Sequence, residues 1–139
     1  TMDIPDYLTR TFELNAVASL QYQNSSRSVY VIVIEDDKAQ LESLGMKFVN
    51  ARDFLDNFTN DFKKDFQDRK LVYLKEFTNN ANKHAQAELY WKEEDNDFYM
   101  LITGVETTGH FYKIMCWTPL ENKAKFNNDF LRISKSLRE

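Results

Sequence analysis

The sequence predicts an α+β fold: a three-layer α/β/α sandwich around a mostly antiparallel sheet of about six or seven strands. Three observations carry this. Between His84 and Pro119 the chain reads HAQAELYWKEEDNDFYMLITGVETTGHFYKIMCWTP, with apolar residues at alternate positions through three consecutive segments. That is the period of strands that lay one face on a core. The stretch from Ser28 to Glu35, SVYVIVIE, is apolar on both faces, as a central strand covered from both sides must be. Two further segments repeat apolar residues at helical spacing, so each face of the sheet has a helix available to cover it.

The chain has 139 residues, of which 42% are hydrophobic and 29% charged, enough for one domain over residues 1–139 with its own core. With three Gly and two Pro it has no flexible linker, and it contains no internal repeat. The net charge of −4 lacks the basic footprint of a nucleic-acid partner. No apolar run is long enough to insert this segment into a bilayer, and no basic run marks a membrane surface. The single cysteine, Cys116, excludes an internal disulfide and sits mid-strand like a small buried apolar residue. The chain opens TMDIP, almost inside its first expected strand, which leaves an upstream signal peptide or lipid anchor open.

In order, Thr1 to Ile4 reads as the remnant of a strand stopped by Pro5, and Tyr7 to Leu14 as either a turn of helix or a loop. Ala16 to Tyr22 is a strand, Asn24 to Arg27 a polar turn, and Ser28 to Glu35 the central strand. Asp36 to Leu44 is a short helix with Gly45 just past its end. Asn50 caps a stronger helix to about Gln67, in which Phe54, Phe58, Phe62 and Phe66 make an apolar stripe. Lys70 to Phe77 is a strand, followed by a polar loop from Thr78 to Lys83. Thr118-Pro119-Leu120-Glu121 has the form of a capping box before a last helix that presents Phe126, Phe130, Ile133 and Leu137.

The register of the meander decides which side chains meet. A loop Glu93–Asp97 pairs Lys92 with Phe98 and sets His84 opposite Glu106. A three-residue loop Thr107-Thr108-Gly109, with Gly109 left-handed, sets Glu106 opposite His110. The same turn puts Leu101, Val105, Phe111, Met115 and Trp117 on a shared face. In that register His84, Glu106 and His110 form a row across three strands, two nitrogens and one carboxylate that suit Zn²⁺ with an open position. Strand-end His and Glu are otherwise simply solvated, and a slip of one residue breaks the row. The opposite face carries Tyr90, Met100 and Tyr112, a surface suited to a protein partner unless a helix covers it; a cavity beneath such a helix suits a small apolar ligand.

No reaction is specified. There is no GxSxG elbow, no Gly-rich phosphate loop, and only two histidines. The acidic runs Glu35-Asp36-Asp37 and Glu93-Glu94-Asp95 lack calcium-loop spacing. The chain is expected not to be an enzyme and to need no cofactor.

Taken together, the strand closing on Ile4-Pro5, the hairpin of SLQY and VYVIVIEDDK, the amphipathic helices, and the meander ending FYKIMCWTP before a helix finishing ISKSLRE resemble the PsbP-like fold. This superfamily includes the PsbP proteins of photosystem II, DcrB-like bacterial lipoproteins and a Ran-binding branch. The resemblance spans essentially the whole chain and carries no site residue onto it. It implies a non-enzymatic binding or assembly module, often sited in the bacterial envelope. The chain is expected to be a monomer or weak dimer with an unidentified protein partner, placed in the bacterial cell envelope or periplasm. A small apolar ligand or a metal is the alternative guest.

Overall fold

A computed structural model describes all 139 residues. The chain runs β1 (Thr9–Arg10), β2 (Leu20–Asn24), β3 (Val29–Asp37), α1 (Lys38–Ser43), α2 (Ala51–Thr59), β4 (Gln67–Asn79), β5 (Asn82–Glu93), β6 (Asn96–Glu106) and β7 (His110–Pro119). A 3₁₀ turn, Leu120–Asn122, leads into α3 (Lys123–Lys135). All strands join one sheet in the order β1-β2-β3-β7-β6-β5-β4, and every neighbouring pair is antiparallel. The expected order of element types holds, but the first strand moves. Thr1 to Ile4 is irregular and lies along the C-terminal segment, where Asp3 N donates to Ser136 Oγ at 2.9 Å and Arg138 N to Thr1 O at 2.8 Å.

Helices cover both faces, giving the three-layer α/β/α sandwich. β3 lies between β2 and β7 and sends Val29, Val31 and Val33 to the α3 side and Ile32 and Ile34 to the α2 side. Under α3 the floor is Tyr99, Leu101, Val105, Ile114 and Cys116, against Phe126, Phe130, Ile133 and, past the helix end, Leu137. Truncating a fully buried aromatic such as Phe130 costs about 3–5 kcal/mol. The expected capping box does not form: Thr118 stays in β7 opposite Tyr99, its Oγ1 is buried without a partner, and α3 enters through the 3₁₀ turn without a side-chain cap.

The Gly45 and Asn50 caps match the sequence, while α1 starts two residues later than expected, with Asp37 as its N-cap rather than inside it. Asp37 Oδ1 accepts from Gln40 N, and α1 ends in a Schellman pattern, with Gly45 at φ +81°, Gly45 N to Glu42 O at 3.0 Å and Met46 N to Leu41 O at 2.9 Å. Asn50 Oδ1 accepts from Asp53 N while Asp53 Oδ2 accepts from Val49 N, both at 2.9 Å. α2 is shorter than its phenylalanine stripe. It stops at Thr59, whose Oγ1 bonds back to Leu55 O at 2.9 Å, and Arg69 from β4 takes the free carbonyls of Thr59 and Phe62. The chain then turns through Lys63 at φ +55°, and β4 begins three residues earlier than expected. α2 lies close on the sheet at Gly104, where a Cβ would meet Ala51 O at 3.1 Å.

The hairpins are tighter than the sequence signalled. β4–β5 closes on Asn80-Ala81 (φ +53° and +64°) and β5–β6 on Glu94-Asp95 (φ +51° and +66°), two-residue turns with the φ signs of type I′. The β6–β7 loop is held by Thr107, whose N–H donates to His110 O and whose Oγ1 accepts from His110 N, and Gly109 is not left-handed. The pairs are therefore Lys92 with Asp97, His84 with Val105, and Glu106 with Phe111, each one residue off the expected register. One slip reverses the face relation. Leu101 and Val105 face α3, while Met115 and Trp117 face α2 and Phe111 stacks on Phe54 at 4.7 Å, so the expected shared face is divided between the two cores.

Candidate functional site

Because α2 has only nine residues, it seals one part of its sheet face and leaves the rest open. Ala51 and Leu55 pack where the sheet presents Ala85, Ala87 and Gly104. Beyond them lies a half-open groove of about 570 Å³, with hydrophobic side chains supplying 11 of its 14 lining residues. Its floor is built by alternation along four strands: Ile32 and Ile34 from β3, Met115 and Trp117 from β7, Phe98 and Met100 from β6, Trp91 from β5. Phe58 and Phe62, stacked at 4.7 Å, form one wall and Leu14 with Asn15 the other. Cross-strand stacks fix the floor, with Trp91 on Phe98 at 5.4 Å and Tyr30 on Trp117 at 5.3 Å.

Charge enters the groove at one point. Lys63 Nζ lies 4.8 Å from the Trp91 ring centroid and 3.8 Å from Glu93 Oε1, and Trp91 Nε1 donates to the same carboxylate oxygen at 3.2 Å. The walls carry no histidine, cysteine or serine. Such an arrangement can hold a guest by shape and aromatic contact, and none of its lining residues pairs a nucleophile with a base beside it.

The strongly shifted groups lie in the other layer. Burial, then the hydrogen bond to Glu88 Oε2 at 2.9 Å, raises the Tyr99 phenol well above its ordinary value. Lys123 Nζ completes that cluster, 3.4 Å from Glu88 and donating to Tyr90 OH at 2.7 Å. Burial pushes the Cys116 thiol up to about 12. These groups hold α3 to the sheet.

The expected metal row does not assemble. His84 is buried on the α3 side, stacked on Phe77 at 4.6 Å, with Nδ1 3.2 Å from Asn82 O and Nε2 unpartnered. Desolvation lowers its pKa. Glu106 points to the other face and pairs with Lys38 at 2.9 Å. His110 is at the sheet end, with Nε2 3.4 Å from Glu35 and 3.6 Å from Asp37, and Nδ1 3.1 Å from Glu139. The two one-residue slips separate the three residues, and with them goes the ligand set for Zn²⁺. No group of three or more His, Cys, Asp or Glu side chains is placed to hold a metal ion.

The expected partner surface is also divided. Met100 is buried in the groove floor, Tyr112 is buried under α3 with its hydroxyl on Glu139 at 2.7 Å, and Tyr90 is half-buried against Tyr99. Of the three, Met100 alone reaches the groove. Trp91, Phe98, Trp117 and Lys63 are not among the site residues expected from the sequence; the Phe58–Phe62 part of the helical stripe is the visible signal for this site.

No protein-family model matches the chain, and no curated protein matches it in sequence. Solved structures do match it over nearly its whole length. The cyanobacterial PsbP (CyanoP) of Synechocystis aligns at TM-score 0.63 and 14% identity, covering 97% of this chain and 83% of that one. LpqN, involved in cell envelope biogenesis of Mycobacterium tuberculosis, aligns at 0.62 and 9% identity over 98% and 80%. A Pseudomonas aeruginosa protein of unknown function aligns at 0.59 and 9% identity over 100% and 84%. The fold is PsbP-like, as the resemblance read from the sequence implied.

Proposed function

We propose that this protein is a non-catalytic binding module of the bacterial cell envelope and that the aromatic groove is its working surface. The observation that carries the reading is the groove itself, about 570 Å³ of mostly apolar space left open by a helix too short to fill it. An unfilled apolar hollow is costly to keep next to water, and sites of this size and lining hold small apolar ligands. The protein partner expected from the sequence then engages by inserting apolar side chains here, in place of the divided Tyr90, Met100 and Tyr112 surface. The envelope assignment is supported by similarity in fold to LpqN. A net charge of −4 fits a partner other than nucleic acid.

The test fills the groove. Ile34→Trp adds bulk on the open floor without touching α3. Tagged full-length protein is recovered from source cells in both forms, and its bound molecules are identified by native mass spectrometry. A guest or partner retained by the wild type and lost by Ile34→Trp is the expected result. Equal retention by both forms rules the groove out as the working surface, and recovery of the native chain solely from cytoplasm refutes the envelope assignment.

A further inference from the structure

Lys63 shows what kind of guest suits this groove. Its Nζ lies 4.4 Å from the Phe66 ring centroid, 4.8 Å from Trp91 and 5.3 Å from Phe62. The Glu93 carboxylate stands 3.8 Å away, too far for a hydrogen bond, and is itself anchored by Trp91 Nε1. The cation thus pairs with this carboxylate without a hydrogen bond and otherwise lies among aromatic rings. Its backbone is at φ +55°, a left-handed conformation that a side-chain-bearing residue enters only at a cost. Three aromatic rings and a carboxylate around a cation form the kind of cage that recognises quaternary and methylated ammonium groups.

We infer that the groove binds an organic cation, with a trimethylammonium group in the cage where Lys63 Nζ now lies and an apolar tail over Met100 and Met115. Lys63 is an internal stand-in for the ligand's head and swings into solvent when the ligand enters. A primary ammonium is compact and strongly hydrated, so it gives up more water to sit among rings than a methylated one does. The cage opens directly onto the apolar floor, since Lys63, Trp91 and Met100 line the same cavity. The inference rests on the groove being the working surface.

Both tryptophans of the chain, Trp91 and Trp117, line the groove, so intrinsic fluorescence reports its occupancy. The intact protein is titrated with hexyltrimethylammonium, hexan-1-ol and hexanoate, which share an alkyl chain and differ in charge. The cation is expected to bind at least about tenfold more tightly than the alcohol, and hexanoate most weakly. Glu93→Gln, at a half-exposed side chain, is expected to weaken the cation severalfold and leave the alcohol unchanged. Lys63→Gln removes the internal competitor and is expected to tighten the cation about tenfold. Equal affinity for cation and alcohol, or weaker cation binding by Lys63→Gln, overturns the cation site while leaving the groove reading intact. No binding of any probe to either the wild type or Lys63→Gln overturns both.

Discussion

Gly104 controls how closely α2 approaches the sheet, and replacing it tests the account of the fold that creates the groove. A methyl group there would lie 3.1 Å from Ala51 O and 3.3 Å from Leu55 Cβ, contacts that open only if the helix gives by a few tenths of an ångström. Neither neighbour is the loose end of a side chain. Ala51 and Leu55 are 3% and 2% exposed, so α2 must move as a body. Overpacking of this kind costs about 1–3 kcal/mol, against about 0.4–1 kcal/mol returned by the stiffer unfolded chain. Gly104→Ala is therefore expected to destabilise by about 1–2 kcal/mol, a fall in Tm of roughly 3–6 °C for a chain of this size. Gly104→Val should lose about twice as much. Urea unfolding followed by circular dichroism reads the change. A Gly104→Ala protein as stable as the wild type, or more so, would refute the close clamp of α2 on β6.

Three other outcomes follow from particular residues. Ala81 holds φ +64° in the β4–β5 turn, so Ala81→Gly should raise stability by about 1 kcal/mol in the same urea assay. Burial lowers the His84 pKa in the folded state, so the unfolded chain takes up the proton first as pH falls. Stability should drop from about pH 6.5 downward toward the folded value, by at most about 1.4 kcal/mol per pH unit, and His84→Phe should flatten that slope in denaturation curves between pH 7 and 5.5. The Cys116 thiol, fully buried and pushed up to about 12, should react with a thiol reagent only as fast as the protein opens. Rapid labelling of the native protein would contradict its placement under α3.

The layers of this fold were legible in the sequence because they rest on periodicity. β3 is apolar at every position from Val29 to Ile34, and α3 repeats Phe126, Phe130 and Ile133 on one face, so their burial needs no knowledge of neighbours. Asn50 and Gly45 were legible for a similar reason, since each acts within its own turn. What failed depended on distant partners or on turn residues that break preference. Asn80-Ala81 and Glu94-Asp95 form tight turns without glycine, so the polar stretches around them read as longer loops and the register moved by one. The phenylalanine stripe continues past Thr59, but the helix does not, because the side chain that takes its free carbonyls is Arg69 in the next strand. The groove lies where these two misreadings meet. Its floor requires the true register of Trp91 with Phe98, and its openness requires the early end of α2.

The pairing of β3 with β7 also dictates when the protein can fold during its synthesis. Val31 lies opposite Cys116, so β3 of the N-terminal hairpin finds its neighbour on the side away from β2 in β7, which is made only after β4 to β6. While the ribosome is still producing β4 to β6, that hairpin leaves the tunnel with a bare apolar edge and no helix over either face. The long separation slows closure, and exposed strand edges of this sort are where nascent chains aggregate. The sheet becomes whole only when His110 to Pro119 emerges, and α3 follows directly behind to cover it. A nascent chain arrested before β7 should therefore stay protease-sensitive along its entire length, the N-terminal hairpin included.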